Sequence, residues 1–118
     1  MIRRIGIDFG TSTTVLQVKN YESDGVTPVG DRIDPKDVKF GKQSYCDTYV
    51  KQKQDRWYCG PEAAKNIPDA IAYANFKMQI ESPDAQIAEG AREAILHFFQ
   101  YLYKTYAEQR DNGQFGEK

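Results

Sequence analysis

In this 118-residue chain, residues 5–14, reading IGIDFGTSTT, form the one stretch whose residue types and spacing together imply a chemistry. An apolar run at Ile5, Ile7 and Phe9 delivers a carboxylate, Asp8, to a turn made of Gly10, Thr11, Ser12 and Thr13. Glycine accepts positive φ and close backbone approach, and small hydroxyl residues leave successive N–H groups free to point at one anion. The tip therefore predicts a phosphate cradle. Asp8, at the end of the preceding strand, is placed to hold Mg²⁺ through its water shell, because Mg²⁺ keeps several waters and takes few protein carboxylates. The same letters also suit an ordinary hairpin turn. Composition alone leaves both readings open.

Two strands must hold that tip. Residues 3–8 and 14–19 alternate apolar and polar positions on either side of the turn, the period of a half-buried hairpin. Residues 20–39 carry Gly25, Pro28, Gly30 and Pro35 among charges, a loop composition with short strands predicted over 26–29 and 36–40, the second closed by Gly41. Residues 44–50 and 56–59 are rich in Tyr, Trp, Val, Thr and Cys and predict a second hairpin, with the polar interval 51–55 as its turn. Gly60, Pro61 and Glu62 predict a short helix through Asn66, and Pro68 opens a second helical stretch over 69–79.

The longest helix starts at Ser82, Pro83 and Asp84, which supply a capping hydroxyl, a first-turn proline and an acid. Ile87, Ala91, Ala94, Ile95, Phe98, Phe99, Leu102, Tyr103 and Tyr106 then recur at three- and four-residue steps, giving one apolar face to about Arg110. Gly90 costs on the order of 1 kcal/mol against alanine in a helix interior, which makes it a candidate start of the stable segment. The aromatic stripe reads as core, and His97 as a helix-face residue without a catalytic partner. Residues 111–118 read as a frayed tail.

The chain has room for one ordinary domain. Its 16 Lys and Arg balance 17 Asp and Glu, so no electrostatic footprint for nucleic acid or an anionic membrane is visible. The basic N-terminus is followed at once by Gly6 and Asp8, so no signal-peptide core forms, and no stretch is long enough for a membrane span. The resulting expectation is a folded cytoplasmic protein. Cys46 and Cys59 are too widely spaced for a C-x-x-C motif and predict reduced, part-buried residues rather than a disulfide or zinc site.

The string GIDFGTSTT resembles the first phosphate motif of the actin, sugar-kinase and heat-shock ATPase superfamily, most closely that of the seventy-kilodalton heat-shock (DnaK-type) chaperones. GPEAAKN, at residues 60–66, and AYANFKMQI, at 72–80, are similar to later segments of the same family. The resemblance implies an α/β fold, α+β as a fragment: a partial ribonuclease-H-like, actin-type ATPase lobe. In it residues 1–40 are core strands with the phosphate loop, 41–110 an inserted hairpin-and-helix subdomain, and 111–118 a tail. It implies that Gly10, Thr11, Ser12 and Thr13 wrap the β- and γ-phosphates of ATP or ADP, that Asp8 sits near Mg²⁺, and that Lys77 reaches the γ-phosphate and helps place the attacking water. Without the family, Lys77 is a solvated lysine near a helix end. The family's usual second basic residue is replaced by Met78.

The second phosphate motif, the adenosine motif and the peptide-binding domain have no counterpart among these residues, so the resemblance covers the opening part of an ATPase domain. What it implies is an ATP-hydrolysing chaperone-like protein with client peptides, a J-domain co-chaperone and a nucleotide exchange factor as partners. The part alone is expected to be inactive and to expose an unpaired sheet edge that could form a homodimer. A sugar kinase of the same superfamily, or a noncatalytic actin-like scaffold, are the alternative functions.

Overall fold

Alternation dominates the first third of the chain and builds a hairpin there. A computed structural model describes residues 1–29 and 35–116. β1 (Ile2–Phe9) and β2 (Thr13–Tyr21) pair antiparallel, from Ile2 opposite Tyr21 to Phe9 opposite Thr14. Two short strands share the far edge of β2: β3 (Lys36–Asp37) opposite Gln17 and Val18, and β4 (Cys46–Asp47) opposite Thr13 and Thr14. A second antiparallel sheet has β5 (Tyr49–Lys53) between β6 (Arg56–Cys59) and β7 (Ile71–Ala74). A short α1 (Phe76–Ile80) and a 27-residue α2 (Ala85–Asp111) complete a mixed α/β fold of two antiparallel sheets and one long C-terminal helix.

Tertiary pairing revises several local expectations. Residues 51–53 are strand rather than turn, because β5 is central and hydrogen-bonds on both edges; the turn contracts to Gln54 and Asp55, with Gln54 at φ 55°. The helix expected over 69–79 is divided. Asp69 and Asn75 both adopt the left-handed region, at φ 62° and 50°, and isolate β7 between them, leaving only 76–80 helical. Residues 60–62 make one 3₁₀ turn instead of a helix through Asn66. No strand forms over 26–29: Pro28 pairs with Tyr21, Val26 is exposed, and residue 30 lies outside the described residues, as do 31–34. Asp24 shapes that loop. Its carboxylate accepts from the Thr27 hydroxyl and from the Thr27 and Val26 N–H groups, which hold its pKa down at about 2.

The true N-cap of α2 is Asp84, whose carboxylate accepts from the Gln86 N–H at 3.0 Å, while Ser82 Oγ accepts from the Asp84 N–H. α2 therefore begins upstream of Gly90. That glycine serves packing: a Cβ there would stand 2.8 Å from Tyr73 Cζ. At the other end Gly113, at φ 80°, closes a Schellman motif, with its N–H on the Arg110 carbonyl and the Gln114 N–H on the Gln109 carbonyl. The tail is docked rather than frayed through residue 116, since Phe115 is buried and stacks on Tyr106 at 5.6 Å. Residues 117 and 118 lie outside the described residues.

One apolar core joins the two sheets through α2. Leu16 and Val18 of β2, Val50 of β5, Tyr73 of β7 and Phe76 of α1 close around Ala91, Ala94, Phe98 and Leu102. Ile87 and Tyr103, expected on the buried face, are exposed instead. His97 is half-buried and stacks on Trp57 at 4.5 Å. Cys46 and Cys59 are both buried free thiols, and burial pushes each pKa up to about 12. An unfolded thiol ionises near 9, so the thiols favour the fold fully below pH 9 and that contribution disappears as the pH rises toward 12. Neither cysteine should react appreciably with a thiol reagent at pH 8 in the native protein, whereas both should react in denaturant. Rapid native labelling would contradict this burial.

Candidate phosphate-binding tip

The chain turns at 10–12 because the Gly10 N–H donates to the Thr13 carbonyl at 3.0 Å. Gly10 is required here for space and not for positive φ: a Cβ would lie 2.6 Å from that carbonyl oxygen. The tip is then braced from the side. The Thr48 N–H donates to the Ser12 carbonyl at 2.9 Å, and the Thr14 and Thr48 hydroxyls, both fully buried, share a 2.7 Å hydrogen bond. Thr14→Val should cost about 1–3 kcal/mol by leaving the Thr48 hydroxyl unsatisfied, and Thr14→Val with Thr48→Val should recover most of it. Urea denaturation of the single and double variants checks this. Equal losses from the two singles that simply add would show that the hydroxyls are not coupled.

These bonds decide which donors remain. Gly10 spends its N–H on the turn, whereas among the described residues the Thr11 and Ser12 N–H groups have no intramolecular acceptor. Thr11, Ser12 and Thr13 are exposed. Asp8 is also exposed and lies on the sheet face opposite the core, across from Val15. Thr13 shares that face, being two residues from Val15, and so does Asp47, which lies directly across from Thr13. Two carboxylates thus flank the tip on one face. Asp47 was not recognisable as a site residue in the sequence, because its place follows from the pairing of β4 with β2, more than thirty residues away in the chain.

Lys77 is exposed on α1, one residue after Phe76, and among the described residues it forms no ion pair. A chain of rings ties that helix to the tip: Phe9, between Asp8 and Gly10, stacks on Phe76 at 6.2 Å and contacts Phe98 and Phe99. The fold therefore brings Asp8 and residues 10–13 together and anchors the Lys77 helix to the base of the same turn.

Chemically, the tip sets two N–H groups without an intramolecular acceptor beside exposed carboxylates, and metal donors among the described residues are sparse. Among the described residues no group of three His, Cys, Asp or Glu side chains could hold a metal. One or two exposed carboxylates beside free N–H groups suit a hydrated Mg²⁺ bridged by a phosphate, since Mg²⁺ retains waters and shares substrate phosphates. Comparison with protein families, curated proteins and solved structures returned no match. No helix among the described residues is long and apolar enough to cross a membrane.

Proposed function

We propose that this chain is the N-terminal part of a DnaK-like, actin-type ATPase, a partial ribonuclease-H-like lobe. Its hairpin tip binds the β- and γ-phosphates of ATP or ADP, with Asp8 oriented toward hydrated Mg²⁺ and Lys77 toward the γ-phosphate. In that reading nucleotide state governs peptide binding in the longer protein, in concert with a J-domain protein and an exchange factor. The observation that supports it is the braced tip with two unspent N–H groups next to Asp8. Phosphates gripped from one side only remain open to water, and the family's adenosine motif has no counterpart among these residues. Binding is thus weak and turnover negligible for this chain alone.

Titration with Mg²⁺ and pyrophosphate, followed by amide NMR, tests the reading. The Thr11 and Ser12 amides should shift most, the effect should need Mg²⁺, and Asp8→Asn should weaken it. Tip amides that do not move, or that move identically in Asp8→Asn, would refute it. Steady ATP hydrolysis lost in Asp8→Asn would refute the expectation of inactivity.

A further inference from the structure

Among the described residues β1 pairs only with β2, so its outer edge carries unpaired backbone groups. The direction of those groups follows from the turn. The Gly10 N–H bonds to Thr13, and bonded and non-bonded pairs alternate along an antiparallel ladder, so even-numbered β1 residues bond to β2. Arg3, Ile5, Ile7 and Phe9 direct their N–H and C=O groups outward. Their side chains lie on the core face, yet Ile5, Ile7 and Phe9 are 40%, 50% and 41% exposed, and among the described residues no strand pairs beside them on that edge. Leu96 and Tyr103 of α2, also exposed, lie on one helix face with Phe99, which packs against Phe9 at 5.2 Å. An open edge and an apolar floor thus adjoin, a combination that recruits a further strand.

We propose that the strand recruited is β1 of a second copy, antiparallel, about a two-fold axis through Gly6. The sequence RRIGIDF is self-complementary in that register. Arg4 of each copy faces Asp8 of the other on the outer face, and Ile5 faces Ile7 on the core face, where the pair exchange N–H···O bonds. Gly6 meets Gly6 at the axis. An axis perpendicular to the sheet keeps both cores on one side. Moving it to Ile5 would set Arg4 against Gly6 and Asp8 against Ile2, and moving it to Ile7 would set Arg4 against Gly10, so the charges match only at Gly6. Arg4 already donates to the Gly25 carbonyl at 3.0 Å and lies over the Tyr21 ring, which holds it on the outer face. Asp8 serves both this pairing and the phosphate reading, so the pairing is measured without Mg²⁺ or nucleotide, and cross-linking through Gly6→Cys, which leaves Asp8 in place, separates its failure from that of the phosphate reading.

Light scattering of the full chain is expected to show a dimer. Arg4→Asp and Asp8→Arg each place like charges opposite each other twice, and each should weaken dimerisation at least roughly tenfold. An equal mixture of the two should restore a heterodimer, which shows that both variants fold. Gly6→Cys should form a disulfide-linked dimer with oxidised glutathione, since a Cβ at Gly6 meets nothing within 4 Å and directly opposed residues of a non-bonded pair are close enough. Ile5→Cys alone should not. A monomeric mass up to about 1 mM would overturn the proposal, because a complex of that Kd would then be half formed. Cross-linking through Ile5→Cys but not Gly6→Cys would also overturn it, as would a mixture of charge variants that stays monomeric.

Discussion

Phe98→Ala is expected to remove about 3–5 kcal/mol of unfolding free energy. Total stability for a domain of this kind is roughly 5–15 kcal/mol, so this one substitution brings the chain close to unfolding. Phe98 is fully buried, and its ring touches three others, Phe9 of β1, Phe76 of α1 and Phe99 of α2, at 5.7–6.1 Å. Truncation empties the point where the hairpin, the Lys77 helix and the long helix meet, and partial collapse cannot refill a ring-sized space. Phe98→Leu keeps much of the volume and should cost clearly less. Urea denaturation gives both values. A loss below about 1 kcal/mol for the alanine variant would mean that this cluster does not couple the elements. Exchange protection at 76–80 in the surviving folded fraction would report whether α1 detaches from the tip.

Gly60→Ala is expected to cost roughly 2–4 kcal/mol, combining left-handed backbone strain with overpacking. Gly60 has φ 63°, and a Cβ there would overlap the Tyr101 hydroxyl and stand 2.6 Å from its Cζ. Gly41→Ala separates the two causes. Gly41 has φ 65°, but its Cβ would meet only Pro61 Cγ at 3.4 Å, so strain alone, about 1–2 kcal/mol, applies. Thermal melts of the two variants should therefore differ, and Tyr101→Phe should recover part of the Gly60→Ala loss. Equal losses at Gly41 and Gly60 would refute the steric half of the account.

The parts of the fold that were legible in the sequence are those where local pattern and tertiary environment agree. IGIDFGTSTT alternates, turns at a glycine that space requires, and forms the expected hairpin. The three- and four-residue recurrence from Ala91 to Tyr106 gave the long helix, since a one-sided core demands that stripe. Elsewhere the deciding facts were nonlocal. Lys51, Gln52 and Lys53 carry no strand-like letters, yet they occupy a central strand whose ladder bonds, and not its side chains, fix its conformation. Ile71 to Ala74 reads equally well as helix, and what excludes one is the left-handed residue on each side, Asp69 and Asn75. The same applies to the site. Asp8 and the turn were legible because they are contiguous, while Asp47 became a neighbour only through strand pairing, and Phe115 among polar letters gave no hint of its stacking partner.

The docked tail has a topological consequence. The carbonyls of Phe115 and Gly116 accept from the Arg3 guanidinium, and Asn20 Nδ2 donates to the Phe115 carbonyl at 2.7 Å, so residue 116 lies against the opening strand of the chain. The described path nearly closes on itself, and the exposed Gln54 and Asp55 turn offers a place to cut it. Circular permutation, joining residue 1 to residue 116 through a short flexible linker and reopening between 54 and 55, would preserve both sheets and the whole of α2. The packing of this unit depends on which elements adjoin in space, and their order along the backbone is one of several that the same geometry permits.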